Sequence, residues 1–409
     1  MNKNQTKNTT FQADAFKKAP LLLAMMIIAT GQVGVSIYLP SLPLISGELG
    51  ITQNDVQLLV TLFLVGFGLS QLVYGPMSDA IGRRPVFLIG QGIYLVGTIV
   101  CIAFSDSANA LEIGRLLQGL GAGSASVLGR SVLRDSYDGF HLTKALSYIA
   151  VTASVMPIIA PVFGGWIAFH LGWQAVFGFV LAYLLAIFAL GFFILPETLP
   201  YKKSKFQLGS VIRNYGTLIT NKQVISSASY NWVSYLAALV SLSVFPFLMQ
   251  EKLGLTAAEY GSLMIIPSAG LMIGSLALNV LNRRFSTPQV MTMAILLMLL
   301  SGIWLMVTPL SIFNLLWAFT WLTVGQGMSF PLSISMLLEP HKKQAGAVSA
   351  LSGSVQMCGA GLLGGYLVQY WVSGQVSLGV FYVVVGTVMG VVLYLTTRKV
   401  ESRITSQAL

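Results

Sequence analysis

Apolar runs of bilayer length follow one another along this chain with only short polar breaks between them, and nothing else in it restricts the possible folds so strongly. A helix needs about 20 consecutive apolar residues to cross the hydrocarbon of a membrane. Twelve stretches meet that need: 19–45, 56–76, 85–104, 110–133, 145–169, 174–195, 224–249, 257–281, 288–309, 312–338, 345–371 and 377–397. Lipid offers no partners to backbone amides, so each stretch is expected to be a helix and the fold class all-α integral membrane. Composition agrees, since only 9% of the 409 residues are charged, against roughly 25% in soluble domains.

The longest polar interruption, Pro196 to Lys222, divides the spans six and six. The expected organisation is a segment 1–18, a six-helix half 19–195, a linker 196–223, a second half 224–397 and a tail 398–409. The formal net charge of +10 would suggest nucleic acid in a soluble protein, but the basic residues lie in clusters between apolar runs. With the N-terminus inside, all 23 Lys and Arg except Lys252 and Arg115 fall on the inner side, the distribution expected for cytoplasmic termini. Membrane lipid, and not nucleic acid, is therefore the expected partner of that charge. The apolar stretch that opens at Pro20 is too long for a signal peptide and reads as a retained span.

Cys101 and Cys358 fall inside apolar stretches and are expected to be free thiols. The three histidines lie in or beside loops, and no metal-ligand spacing occurs. A membrane-embedded enzyme would need clustered His, Asp, Glu or Cys. No metal, cofactor or catalytic residue is expected.

The most informative polar stretch is Gly75-Pro76-Met77-Ser78-Asp79-Ala80-Ile81-Gly82-Arg83-Arg84-Pro85, between the second and third spans. Asp79 and Arg83 are spaced to pair on one helical turn, and Gly82 lets the backbone reverse. Taken alone, such a turn could also be a basic orientation anchor. An internal repeat is visible as well. A shift of 200 residues lays Asp79, Gly82, Arg83 and Arg84 over Asn279, Asn282, Arg283 and Arg284, and Ala160, Gly164 and Gly165 over Ala360, Gly364 and Gly365. Duplicated halves with a binding site between them are a known transporter plan.

Within the spans, Gln32 and Ser36 share a helical face, followed by Tyr38. They read either as packing hydrogen bonds or as a cavity lining. Phe63 and Phe67, Trp232, Tyr235 and Phe245, Trp321 and Gln326, and Gln356 with Met357 carry the same two readings. Arg115 costs a few kcal/mol inside a span and must face a partner or water. Glu112, three residues before it, either pairs with it or sits at the outer headgroups. The Gly119 to Gly123 run reads as close helix packing, because no strand precedes it. Pro157 and Pro161 deprive one helix face of donors, and Gly164 and Gly165 admit a close neighbour.

Several of these stretches resemble one family. Gly75, Asp79, Gly82, Arg83 and Arg84 match G-x-x-x-D-x-x-G-R-R/K, the hairpin between helices 2 and 3 of major facilitator superfamily transporters. Arg115, Gln118 and Gly119 match its R-x-x-Q-G motif in helix 4, of which Glu112 is not a part. Pro161, Gly164 and Gly165 resemble the end of the antiporter motif G-P-x-x-G-G, with Ala160 in place of its first glycine. Ile37 to Pro43, Leu195 to Leu199, Arg283 to Thr287 and Met336 to Pro340 look like the Bcr/CflA group of drug:proton antiporters, of EmrD-like type.

The resemblance implies a twelve-helix, monomeric carrier of the bacterial inner membrane that exports lipophilic or cationic drug-like compounds in exchange for protons, by alternating access. It implies a conformational latch at Gly75, Asp79, Gly82, Arg83 and Arg84, and proton coupling through Arg115 with Gln118; Glu112 joins that candidate site only if it pairs with Arg115. It further implies an antiporter element at Pro157, Pro161, Gly164 and Gly165, and a cavity drawn from the polar and aromatic side chains above. Many members carry an Asp at the place of Ser36, so the proton carrier stays unassigned, as do substrate and stoichiometry. An uptake symporter or facilitator of a small organic solute shares the fold.

Overall fold

The computed structural model describes residues 18–137, 139–199 and 207–407. The N-terminal segment and the linker lysines Lys202, Lys203 and Lys205 lie outside these residues, as do the side chains of Lys342, Lys343, Arg398, Lys399 and Arg403. All regular structure among the described residues is helical. The first half contains α1 (Lys18–Ser36), α2 (Leu42–Leu49), α3 (Gln53–Ile81), α4 (Arg83–Ala103), α5 (Ala108–Ser136), α6 (Gly139–Leu171) and α7 (Trp173–Phe193). After α8 (Leu208–Ile219) come α9 (Lys222–Phe247), α10 (Ala257–Leu263), α11 (Ile265–Leu281), α12 (Thr287–Val307), α13 (Ile312–Leu338), α14 (Ala345–Tyr370) and α15 (Gln375–Gln407).

Among the described residues nine helical stretches are long and apolar enough to cross a membrane. Three more helices, α5, α6 and α13, run for 29, 33 and 27 residues in the same bundle. The lower hydropathy of α5 has a plain cause: Glu112, Arg115, Gln118, Ser124 and Arg130 lie along it, and α1, α3 and α4 surround it. Polar groups at membrane depth are turned towards protein.

Proline sets several departures from the expected spans. The stretch 19–45 breaks after Ser36 into a 3₁₀ turn, Leu39–Ser41, and α2, each with a proline in its first turn. A proline has no N–H to continue the preceding helix. The stretch 257–281 breaks at Met264, three residues before Pro267. The linker contains a helix, α8, and α15 continues to Gln407 through the expected tail. The same reciprocal capping box opens α3 through Thr52 and Asp55, α10 through Thr256 and Glu259, and α12 through Ser286 and Gln289.

Two helix pairs make the closest contacts between the halves. The α3–α14 seam is continuous: the Thr61 hydroxyl donates to the Gly361 carbonyl at 3.1 Å, and a Cβ on Gly68 would stand 2.5 Å from the Cys358 sulfur. The second seam, α6 against α10, is confined to the end of the bundle away from the hairpin. There a Cβ on Gly165 would lie 2.3 Å from the Ala257 carbonyl oxygen, and one on Gly261 would lie 2.4 Å from that of Pro161. At the same end the Gln250 amide donates to the Pro40 carbonyl at 2.9 Å.

Candidate functional site

The hairpin between α3 and α4 turns at Gly82, whose φ of 119° lies in the region closed to most side chains. A Cβ there would also meet the Glu197 carboxylate at 2.3 Å. That carboxylate accepts from the amides of Arg83 at 2.9 Å and Arg84 at 3.4 Å. It sits where the first turn of α4 has unpaired N–H groups and a positive dipole end. The Arg83 side chain then gathers three elements. It donates to Asp79 at 2.5 Å and Ser78 at 2.6 Å on α3, and to Asp135 at 3.1 Å at the end of α5. Thr198 donates to the same Asp135 oxygen at 3.2 Å. Arg83 thus forms two ion pairs, Asp79–Arg83 and Asp135–Arg83.

Arg84 belongs to a different contact. It donates to the Phe192 carbonyl and lies over the Phe192 ring, fastening α4 to the end of α7. Gly75 supplies its carbonyl to the Ser78 hydroxyl at 2.8 Å. Between the hairpin, Arg134, Asp135, the α8 residue Tyr215 and the first turns of α14 lies a polar cavity of about 300 Å³. The charged cluster thus faces the second half across open space.

Arg115 lies deep in the first half and is 2% exposed. Its guanidinium donates to Gln118 at 2.7 Å, to the Gly34 carbonyl at 3.2 Å and to the Leu59 carbonyl at 3.4 Å. The Tyr38 and Phe63 rings cover its two sides, 3.7 and 4.2 Å from the guanidinium carbon. Gln118 passes the network on to Thr98 at 2.9 Å. Aromatic faces and carbonyl dipoles, with no carboxylate, hold this cation. Glu112 is half-buried one turn away and forms neither of the ion pairs found. Every other described carboxylate stands at a helix end or in a connection.

The remaining expected residues divide. Gly164 abuts the carbonyl of Ile37 and Gly165 that of Ala257, while Pro157 and Pro161 sit inside an unbroken α6. Phe63, Phe67, Phe245, Ser36 and Gln326 are buried in packing, Phe245 edge-on against Phe319. Trp232 donates to the Ser352 carbonyl at 2.9 Å, tying α9 to α14. Gln32, Tyr235, Trp321, Gln356 and Met357 are half-buried. An apolar cavity of about 390 Å³ opens between α1, α6 and α7, walled by Met25, Met26, Met156, Ile159 and Phe163. None of the side chains expected to line a chamber contributes to it. Asp135 and Glu197 were not singled out from sequence, although Glu197 lies in the Leu195–Leu199 resemblance.

Comparison with known proteins agrees with this architecture. The Major Facilitator Superfamily profile matches residues 21–364 and 228–408. Multidrug resistance protein D of Escherichia coli (strain K12) is 30% identical over 396 residues, covering 95% of this chain and 97% of that protein. Multidrug resistance protein MdtL of Shigella flexneri serotype 5b (strain 8401) is 26% identical over 366 residues, covering 90% and 91%. These relatives are transporters and not enzymes. An all-helical bundle with many apolar spans, a matching profile over nearly its whole length and relatives aligned end to end lead to one conclusion: the chain belongs to the Major Facilitator Superfamily.

Proposed function

We propose that this protein exports lipophilic, drug-like compounds across the bacterial cytoplasmic membrane in exchange for protons. The observation that carries the reading is the likeness to Multidrug resistance protein D over 95% of the chain. The twelve-span arrangement follows by counting α10 and α11 as one span and adding α5, α6 and α13 to the nine apolar stretches. Both termini and the hairpin then face the cytoplasm, in keeping with the basic residues.

The halves, about 19–195 and 224–397, rock against each other, with the α3–α14 seam as the lasting contact and the α6–α10 seam as a gate at the periplasmic end. Arg83, held by Asp79 and Asp135, sets the hairpin against the start of α14 and biases which end opens. Each proton entering down the membrane potential supplies about 2.3 kcal/mol per 100 mV, enough for roughly a tens-fold drug concentration ratio. Met-rich walls such as that of the α1–α6–α7 cavity suit varied apolar shapes.

One observation favours a second reading, facilitated diffusion: Arg115 contacts no carboxylate that it could drive to exchange a proton. Energised inside-out vesicles separate the two. Addition of a transported drug releases lumenal protons if export is proton-coupled, and moves none if transport is passive. A growth-inhibition panel with and without a protonophore identifies the compounds to use.

A further inference from the structure

Pro76 lies inside α3, six residues before the hairpin glycine. A helical proline has no N–H, so the carbonyl four residues earlier loses its helical donor. That carbonyl belongs to Leu72, and it accepts instead from the hydroxyl of Tyr215 at 3.2 Å. Tyr215 comes from α8, the helix within the linker between the halves. One turn further along α8, Leu218 is buried in an apolar cluster with Leu72 of α3, Leu337 of α13, and Val348 and Leu351 of α14. Tyr215 also borders the polar cavity that holds Asp79 and Arg83. Burial and then the negative charge of Asp79 push its hydroxyl above the ordinary value of 10.0, so it stays a protonated donor at physiological pH.

We propose that Tyr215 is a positioning residue for alternating access: its hydroxyl clasps the Leu72 carbonyl vacated by Pro76, so that α8 couples the hairpin end of α3 to the second half. The proposal rests on the transport reading above. A helix interrupted by proline bends easily at the unpaired carbonyl. With the clasp made, the last turns of α3, which carry Asp79, follow the linker and α14. With it broken, they bend independently and the hairpin moves out of step with the second half. A hydroxyl supplied by a separate helix, α8, in place of an amide fixed within α3, makes this bond reversible during the cycle.

The test is a double-mutant cycle read in two ways. Cys358 lies in the α3–α14 seam and is half-buried, while Cys101 is buried, so maleimide labelling in membranes follows the seam at Cys358. Tyr215→Phe keeps the ring and removes the hydroxyl. Losing one partly buried hydrogen bond is expected to raise Cys358 labelling about three- to ten-fold and to lower the maximal efflux rate by a similar factor, with the half-saturating drug concentration unchanged. Pro76→Ala restores an amide to Leu72. In that background Tyr215→Phe is expected to have no further effect on either readout. Equal effects of Tyr215→Phe in both backgrounds, or none in the wild type, would overturn the proposal. Labelling needs no transported drug, so it decides on the clasp even if the efflux reading fails. Should Pro76→Ala not insert, Tyr215→Phe against Asn214→Ala, a neighbour with no role in the clasp, decides on the labelling rate alone: equal rates reject the clasp.

Discussion

At the residue scale, two positions carry most of the argument. Gly82 combines a backbone that excludes a side chain with the Glu197 carboxylate where a Cβ would stand. Gly82→Ala is expected to cost about 1–3 kcal/mol, seen as a lower melting temperature in detergent and reduced efflux. Wild-type melting would mean the turn tolerates a side chain. Arg115 bonds through three directions of a planar fork and stacks between two rings. A lysine has neither the fork nor the plane. Arg115→Lys is therefore expected to lower stability by about 1–3 kcal/mol and to impair transport, measured by the same two assays. The Asp79–Arg83 pair was legible in the sequence from its four-residue spacing, but the two groups meet across the Gly82 turn, from the end of α3 to the start of α4, and not on one helical turn as the spacing suggested. Asp135 and Glu197 were not legible, because they reach Arg83 from 52 and 114 residues away and only the fold brings them there. Arg115 was visible as a buried cation, but its aromatic cover was not, since Tyr38 comes from the turn after α1 and Phe63 from α3.

At the scale of elements, the seams explain why glycine is placed as it is. A Cβ on Gly165 would press on a backbone carbonyl of α10, which cannot rotate away. Gly165→Ala is expected to part the α6–α10 seam and to reduce drug efflux at least about ten-fold while the protein still inserts; overpacking of a tight contact costs ~1–3 kcal/mol. Gly178→Ala, at a position with nothing within 4 Å, is the control and should transport normally. Efflux unchanged in Gly165→Ala would remove the gate from this seam. The long spans were legible from hydropathy alone, and the breaks at Pro40 and Pro267 follow from proline chemistry. The linker helix was missed because its apolar residues, Val211, Ile212, Tyr215, Leu218 and Ile219, recur at helical spacing inside a stretch read only for its charge. The capping boxes at Thr52, Thr256 and Ser286 were equally readable from their Asp, Glu or Gln three residues on.

At the scale of the whole molecule, the two seams are unequal. The α3–α14 contact runs on towards the hairpin, whereas the close α6–α10 contact lies at the opposite end. A bundle built in this way can open at one end without losing both contacts between its halves. Whether it does so under control of the hairpin is tested most directly by distances across that end. Spin labels at Ser136, the last residue of α5, and Gln344, just before α14, would span the gap in a protein lacking Cys101 and Cys358. Pulsed electron paramagnetic resonance on Asp79→Asn should then show the distribution shifted to longer distances than in the protein with Asp79 intact. Identical distributions in the two proteins would contradict a latch at Asp79 and Arg83.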